Sequence, residues 1–276
     1  MQFTPELYSL TAMTNMHVGS GKNNYGIIDN LIQRDVVSGH PTINSSSLKG
    51  AMREFFSHST PASLVEYVFG SDPQSDKSKT NKQGAYRFFP AQLLSIPVRC
   101  DVLPFVNVTS PTVIRHFLTL LEVFNITNEN ENENVLKNWL GKFTGEPIHF
   151  EEGIDEMTIE STEIKAKRID NFEGIDKVRN LLGDYPVLVS DEQFSELTGD
   201  NHLPVIARNH LENGISQNLW YEQILPRQSR FYFIVLTPDN NTTNKFSQFN
   251  EKIKKELIQI GGNASIGYGF SKISQI

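Results

Sequence analysis

An α+β sandwich is the architecture to which three features of this 276-residue chain point. Strand-length apolar runs and helix-period apolar stripes are mixed along it. A helix late in the chain, expected over Asn244–Ile260, leads back to a final strand at Gly269–Ile273. Glycine-rich segments stand near both ends, His17-Val18-Gly19-Ser20-Gly21 and Gly261-Gly262-Asn263-Ala264-Ser265-Ile266-Gly267-Tyr268-Gly269, which suggests one fold that brings its termini together around a polyanion.

In chain order, the first strand is expected at Tyr8–Met13. After the Gly-Ser-Gly loop come Gly26-Ile27-Ile28-Asp29-Asn30-Leu31-Ile32, an apolar run with one acid, and a turn at Gly39-His40-Pro41. A helix is predicted over Ser46–Phe56, with Ser45, Ser46 and Ser47 as N-cap residues and Leu48, Met52, Phe55 and Phe56 as its apolar stripe. Gly50 costs roughly 1 kcal/mol relative to Ala inside a helix, which suits a place where another backbone comes close. Strands follow at Ala85–Phe89 and Leu93–Val98, then a helix at Thr112–Phe124. Val205–Leu211 precedes Glu212-Asn213-Gly214, and Asn-Gly is among the strongest short signals for a hairpin. After a strand at Phe231–Leu236, the last helix carries Phe246, Phe249, Ile253 and Leu257 on one stripe, and Gly261-Gly262 suits its left-handed cap. Ser71–Gly84, without an apolar residue, and the Asn/Glu alternation of Asn128–Asn134 read as surface excursions, the second with no catalytic role.

Composition narrows the class. The single cysteine, Cys100, allows no internal disulfide and no cysteine metal cluster. The opening Met-Gln-Phe-Thr-Pro-Glu lacks a basic segment and a long apolar core, and no apolar run approaches a membrane span, so a cytoplasmic chain without a membrane partner is expected. A net charge of −7 argues against a generic nucleic-acid coat. The tension eases because cations cluster locally: Lys22, Arg34, Lys49 and Arg53 lie near the proposed site, whereas acid is concentrated between Glu129 and Asp176. Free N–H groups and the dipole at the helix start favour a phosphate there, and Lys49 and Arg53, four apart, share one face. On that segment alone, a capped amphipathic helix with solvated cations explains the pattern equally well.

These residues carry a resemblance. His17-Val18-Gly19-Ser20-Gly21, Gly26-Ile27-Ile28-Asp29, Ile32-Gln33-Arg34, Ser46-Ser47-Leu48-Lys49-Gly50-Ala51-Met52-Arg53 and the terminal Gln259-Ile260-Gly261-Gly262 … Gly267-Tyr268-Gly269 resemble the RAMP superfamily of CRISPR proteins. Asn218-Leu219-Trp220-Tyr221-Glu222-Gln223-Ile224-Leu225-Pro226 makes the chain most similar to the backbone subunit of the type III-B (Cmr) effector complex, over about residues 8–57 and 203–274. The resemblance implies a single domain over 1–276. Its RRM-like (ferredoxin-like) core would lie mainly in 1–125 and 220–276, with insertions at 71–84 and 126–200 and a projecting hairpin, the thumb, at about 203–219.

Its functional implications are specific. Asp29 falls on the family's catalytic aspartate. Read without the family, a lone Asp is more often a turn or capping residue, although its apolar neighbours here are expected to hold it near the protein body. RNA cleavage can use the substrate's own 2′-hydroxyl against the adjacent phosphorus, and a carboxylate can act as base or hold a divalent cation, Mg or Mn. His17 and Glu222 are secondary catalytic candidates. A phosphate-contacting or loop-packing role suits His17 equally, and Glu222 could anchor the hairpin base. His40, His58, His116, His149, His202 and His210 form no metal-ligand spacing. The Gly261–Gly269 loop lacks a Walker lysine and reads as a backbone cradle for RNA. The implied RNA-binding set is Gly19, Ser20, Gly21, Lys22, Arg34, Ser45, Ser46, Ser47, Lys49, Arg53, Arg208, Gly261, Gly262, Gly267 and Gly269. The implied partners are a guide crRNA, a complementary target single-stranded RNA, further copies stacked head to tail in a helical filament, and other Cmr subunits. A non-cutting guide-binding scaffold, a metal-independent nuclease that processes precursor guide RNA, and the type III-A counterpart remain alternatives.

Overall fold

The computed structural model describes residues 3–22, 26–71, 82–126, 132–160, 164–239 and 243–276, and of Lys22, Leu211 and Thr243 only the backbone. Most of the two polar excursions, 72–81 and 128–131, lies outside the described residues.

A mixed α+β fold is what forms. Strand β1 (Phe3–Ala12) buries Leu7, Tyr8, Leu10 and Ala12, and its neighbours come from the other end of the chain. It pairs antiparallel with Arg230–Pro238 from Phe3↔Pro238 to Thr11↔Arg230, and with Phe270–Gln275 from Tyr8↔Gln275 to Ala12↔Ser271. The expected meeting of the termini is therefore a sheet register. Short strands β2 (Gly19–Lys22), β3 (Asn30–Ile32) and β4 (Thr42–Ile43) follow, then helices α1 (Ser45–Ser59) and α2 (Ala62–Phe69). Next come β5 (Arg87–Phe88), β6 (Ala91–Val98), β7 (Val106–Thr109) and α3 (Pro111–Val123), the last with Pro at its start.

Residues 126–200 build an αβ extension of the same core: α4 (Asn132–Lys142), β8 (Ile148–His149), β9 (Glu156–Ile159), β10 (Ile164–Arg168), α5 (Ile175–Leu182), β11 (Pro186–Leu188) and α6 (Asp191–Leu197). Trp139, Leu182 and Phe194 are fully buried in one cluster with β1 and α1. The hairpin β12 (Val205–Glu212) and β13 (Ile215–Gln223), then β14 (Arg230–Pro238), α7 (Thr243–Lys255), β15 (Ile258–Gln259) and β16 (Phe270–Gln275) complete the chain. The large sheet runs β15-β16-β1-β14-β6-β7-β11-β8-β10-β9, and a second sheet runs β12-β13-β3-β2.

Helix α1 is held by its stripe. Leu48, Met52 and Phe56 are completely buried, and Phe56 stacks on Phe249 of α7 at 5.3 Å between ring centroids. Phe69 stacks on Phe88 at 5.4 Å beside them.

Three expectations change here. The last helix stops at Lys255, because Ile258 and Ile260, two apart and both fully buried, continue as an edge strand on β16; Leu257 is left 49% exposed and Gly261, at φ 91°, ends a strand instead of capping a helix. Helix α1 begins at Ser45 with Asn44 at the cap position, and no side chain caps it. Gly50 meets no other backbone, since a Cβ added there would stand in open space.

Candidate functional site

The second sheet gathers the segments singled out in the sequence. At the hairpin turn Asn213 (φ 50°) and Gly214 (φ 80°) both adopt positive φ, the requirement of a type I′ turn, and Glu212 pairs with Ile215. The base of β13 pairs parallel with β3 at Glu222↔Asn30. That pairing sets Asp29 against Tyr221: Asp29 N donates to the Tyr221 carbonyl at 3.1 Å, and Tyr221 N donates to Asp29 Oδ2 at 2.8 Å. Asp29 is exposed and Ile27 is 88% exposed, so the apolar run does not hold the acid to the protein body. Two hydrogen bonds to the hairpin do. A carboxylate has acceptor capacity beyond the one bond from Tyr221.

His17 and Glu222 come together inside. His17 is 8% exposed, with Nδ1 2.7 Å from the Gln223 carbonyl and Nε2 3.7 Å from Glu222 Oε1. Glu222 is 5% exposed; Asn263 Nδ2 donates to its Oε2 at 2.6 Å, and Arg208 Nη1 stands 3.5 Å from the same oxygen. The two glycine-rich segments meet at His17. Gly262 N donates to the His17 carbonyl at 2.8 Å, and a Cβ on Gly261 would overlap that carbonyl, which makes glycine obligatory. Gly19 approaches the His17 ring so closely that a Cβ there would sit 2.8 Å from Nε2. Gly267 (φ 82°) and Gly269 (φ 79°) turn the rest of the loop back into β16.

The helix start is tied to the same place by Gln33. Its Nε2 donates to the Gly19 carbonyl at 3.1 Å and to Ser47 Oγ at 2.9 Å, while its Oε1 accepts from Asn44 N at 2.8 Å. Ser45, Ser46 and Ser47 head α1, and the N–H groups of a first helical turn have no partner within the helix. A groove of about 750 Å³ runs alongside, lined by Gly19, Gln33, Ser47, Gly50, Phe55 and Gly261 among others. Ser20 Oγ donates to the Leu31 carbonyl at 3.1 Å beside the positive-φ Gly21 (106°).

The cations divide. Lys49, Arg53 and Arg87 form a cluster: burial first, and then the charges of Arg53 and Arg87, hold the Lys49 ammonium below its usual range. Arg53 is half-buried and donates to the Gly70 carbonyl, so it is not the freely solvated cation its helical spacing suggested. Arg34 is not brought to the groove. Its Nε and Nη2 donate to Asp200 Oδ1 at 3.0 and 2.7 Å, and its Nη1 donates to the Gly39 and Thr198 carbonyls at 2.8 and 2.9 Å. Arg208 folds back over the Trp220 ring, 5.9 Å from its centroid, toward Glu222. Sequence reasoning missed Asn263, Gln33 as a bridge, Gln223 and Asp200. The Gly-Gly-Asn run, the Ile-Gln-Arg run and the Tyr-Glu-Gln run offered a signal for Asn263, Gln33 and Gln223, and nothing did for Asp200. Among the described residues no group of three His, Cys, Asp or Glu side chains could hold a metal ion.

The RAMP superfamily profile matches residues 9–272. The chain belongs to the RAMP superfamily. It is 27% identical over 291 residues to the "CRISPR system Cmr endoribonuclease Cmr4" of Pyrococcus furiosus, which spans 97% of this chain and 94% of that protein. Among solved structures, this RAMP protein superposes with a TM-score of 0.82 on a chain of the type III-B Cmr-beta complex bound to cognate target RNA, at 21% identity over 98% of this chain and 96% of that one. Oligomeric Cmr4 from P. furiosus superposes with a TM-score of 0.73 at 22% identity, covering 100% and 99% of the two chains. No helix among the described residues is long and apolar enough to cross a membrane.

Proposed function

We propose that this protein is a cytoplasmic crRNA-binding backbone subunit of a type III-B CRISPR effector complex. In this reading it cuts complementary target single-stranded RNA at regular intervals in a metal-dependent reaction. One observation carries it: the Asp29 carboxylate is fixed to the base of a projecting hairpin by the Tyr221 N–H while the residue itself is exposed. The 27%-identical relative that bears the name endoribonuclease supports the same assignment. We read 1–125 and 220–276 as an RRM-like core, 71–84 and 126–200 as insertions, and the hairpin at 203–219 as the thumb.

The division of labour follows from burial and reach. Target RNA enters paired to a guide that crosses α1. Backbone N–H groups meet phosphates in the groove between α1 and the two glycine loops, and the Lys49, Arg53 and Arg87 cluster, which stands outside that groove's lining, meets further phosphates, both irrespective of sequence. The hairpin presents one phosphodiester to Asp29, which removes a proton from the adjacent 2′-hydroxyl or holds a cation there. The Asp29 carboxylate, with acceptor capacity beyond the Tyr221 bond, would hold a hydrated divalent ion. Bound there, such an ion would supply charge neutralisation at the phosphate. His17 and Glu222, buried against one another, keep the glycine loops and the hairpin base in fixed relation. Copies stack head to tail along the guide, a heterologous contact that builds a filament, and other Cmr subunits complete the assembly. The test is Asp29→Asn in a reconstituted guide-loaded complex: binding of guide and target is expected to persist while cutting is lost.

A further inference from the structure

The Asp29 strand meets the hairpin base through few bonds. β3 is three residues long and pairs with β13 at the single position Glu222↔Asn30. Beyond the Asp29 and Tyr221 bonds, the next link is Ile32 N donating to Gln223 Oε1 at 3.3 Å. Gln223 is fully buried, and its amide is oriented from the far side, where Nε2 donates to Asp200 Oδ1 at 3.1 Å and stands 3.5 Å from the Asp200 carbonyl. The same Oδ1 accepts both Arg34 donors described above. Asp200 lies in the turn after α6, just before β12 begins. It therefore joins three segments: the end of the Asp29 strand, the entry to the hairpin and the hairpin's last residue. Burial works to raise its carboxyl, but the Gln223 hydrogen bond and the Arg34 charge outweigh it and hold the group below the usual carboxylate range.

We propose that Asp200 is a positioning residue for target cleavage: by holding Gln223 and Arg34 on one oxygen, it sets the register of Asp29 against the hairpin that presents the phosphate. It touches no RNA in this role and acts through Gln223 and Arg34. The proposal rests on the reading of Asp29 as the cleaving residue. A misplacement of about 1 Å, even when caused far from the chemistry, can cost on the order of a hundredfold in rate.

The test uses the guide-loaded complex with wild type, Asp200→Ala, Asp200→Asn, Arg34→Ala and the Arg34→Ala/Asp200→Ala double variant. Three quantities are read: single-turnover rate, target affinity and the positions of the cuts. Asp200→Ala is expected to cut about a hundredfold more slowly, with affinity unchanged and products spread to neighbouring positions. Asp200→Asn keeps an acceptor for Gln223 but loses the Arg34 ion pair, so it falls between the two. The double variant is expected to be no slower than the slower single variant, because the two residues act as a unit. Cutting at the wild-type rate and positions by Asp200→Ala overturns the proposal, as does a loss of rate matched by an equal loss of affinity. Should Asp200→Ala not assemble, Asp200→Asn decides, and wild-type cutting by it overturns the proposal. Asp29→Asn in parallel separates the two claims. If it is inert while Asp200→Ala cuts normally, only the positioning role falls; if Asp29→Asn cuts normally, the Asp29 reading falls and this proposal falls with it.

Discussion

Removing the Glu222 carboxylate is the most informative stability experiment. Glu222 is 5% exposed and is the common partner of Asn263 at 2.6 Å, Arg208 at 3.5 Å and His17 at 3.7 Å. Glu222→Ala deletes all three contacts and removes the counter-charge from the Arg208 guanidinium, whose buried Nη1 makes no hydrogen bond even with Glu222 in place. Breaking a buried ion pair by removing one partner typically costs about 3–5 kcal/mol. Glu222→Gln keeps an acceptor for Asn263 and loses only the charge, so about half that cost is expected. For a chain of this size about 1 kcal/mol moves Tm by roughly 2–4 °C, which places Glu222→Ala on the order of 10 °C below wild type. Thermal melts of the purified chain, followed by circular dichroism and repeated in urea, measure it. A Glu222→Ala melt within 2 °C of wild type would refute the view that this carboxylate organises the site.

Other expectations follow from the same geometry. Lys49→Ala plus Arg53→Ala should weaken guide binding for any RNA sequence and reduce the log–log salt slope by about 0.7 per lost phosphate contact; an unchanged slope in a filter-binding titration would show that these cations contact no phosphate. Because the Lys49 ammonium is held below its usual range, guide affinity should begin to fall at a lower alkaline pH than an ordinary lysine would allow, and Lys49→Arg should remove that early fall. Replacing residues 209–218 by a short Gly-Ser link leaves Arg208 and Glu222 in place, so the fold and guide loading should survive while the regular ladder of target products is lost on a sequencing gel. His149 is fully buried, and burial, then the Arg168 charge, depress its imidazole to about 4. The unfolded chain therefore binds the extra proton first as pH falls, and stability should decline between about pH 6.5 and 4 by up to about 3 kcal/mol; His149→Gln should flatten that limb of a urea-midpoint profile.

Local chemistry was the legible part. Asn213-Gly214 specified a turn that only positive-φ residues make, and the hairpin formed there. The glycine segments at both ends do meet, and Gly19, Gly261 and Gly269 are each demanded by a ring or backbone lying against them. The end of α7 was misread because Leu257, four after Ile253, continues the helical stripe, and only β16 pairing with Ile258 and Gln259 decides for a strand. Asp29 was placed by the wrong cause. Ile27 is outside, Ile28 and Leu31 are only half-buried, and the anchor of Asp29 is Tyr221, 192 residues away. Arg34 read as a cation for RNA from its cluster with other cations, and Arg208 from the resemblance alone; the Arg34 partner, Asp200, lies 166 residues on, and Glu222 faces Arg208 only through the hairpin register. Such distant pairings leave no trace in spacing.

Single-turnover cleavage of two targets tests the assignment of Asp29 most directly. One target is all-ribose, and the other carries 2′-deoxy sugars at the cut positions. With wild-type complex and a divalent cation, the ribose target should be cut to products ending in a 2′,3′-cyclic phosphate, and the deoxy target should resist. Asp29→Asn should bind both targets as wild type does and cut neither; loss of a general base alone costs about a hundredfold or more. Cleavage of the ribose target by Asp29→Asn at the wild-type rate would contradict the assignment.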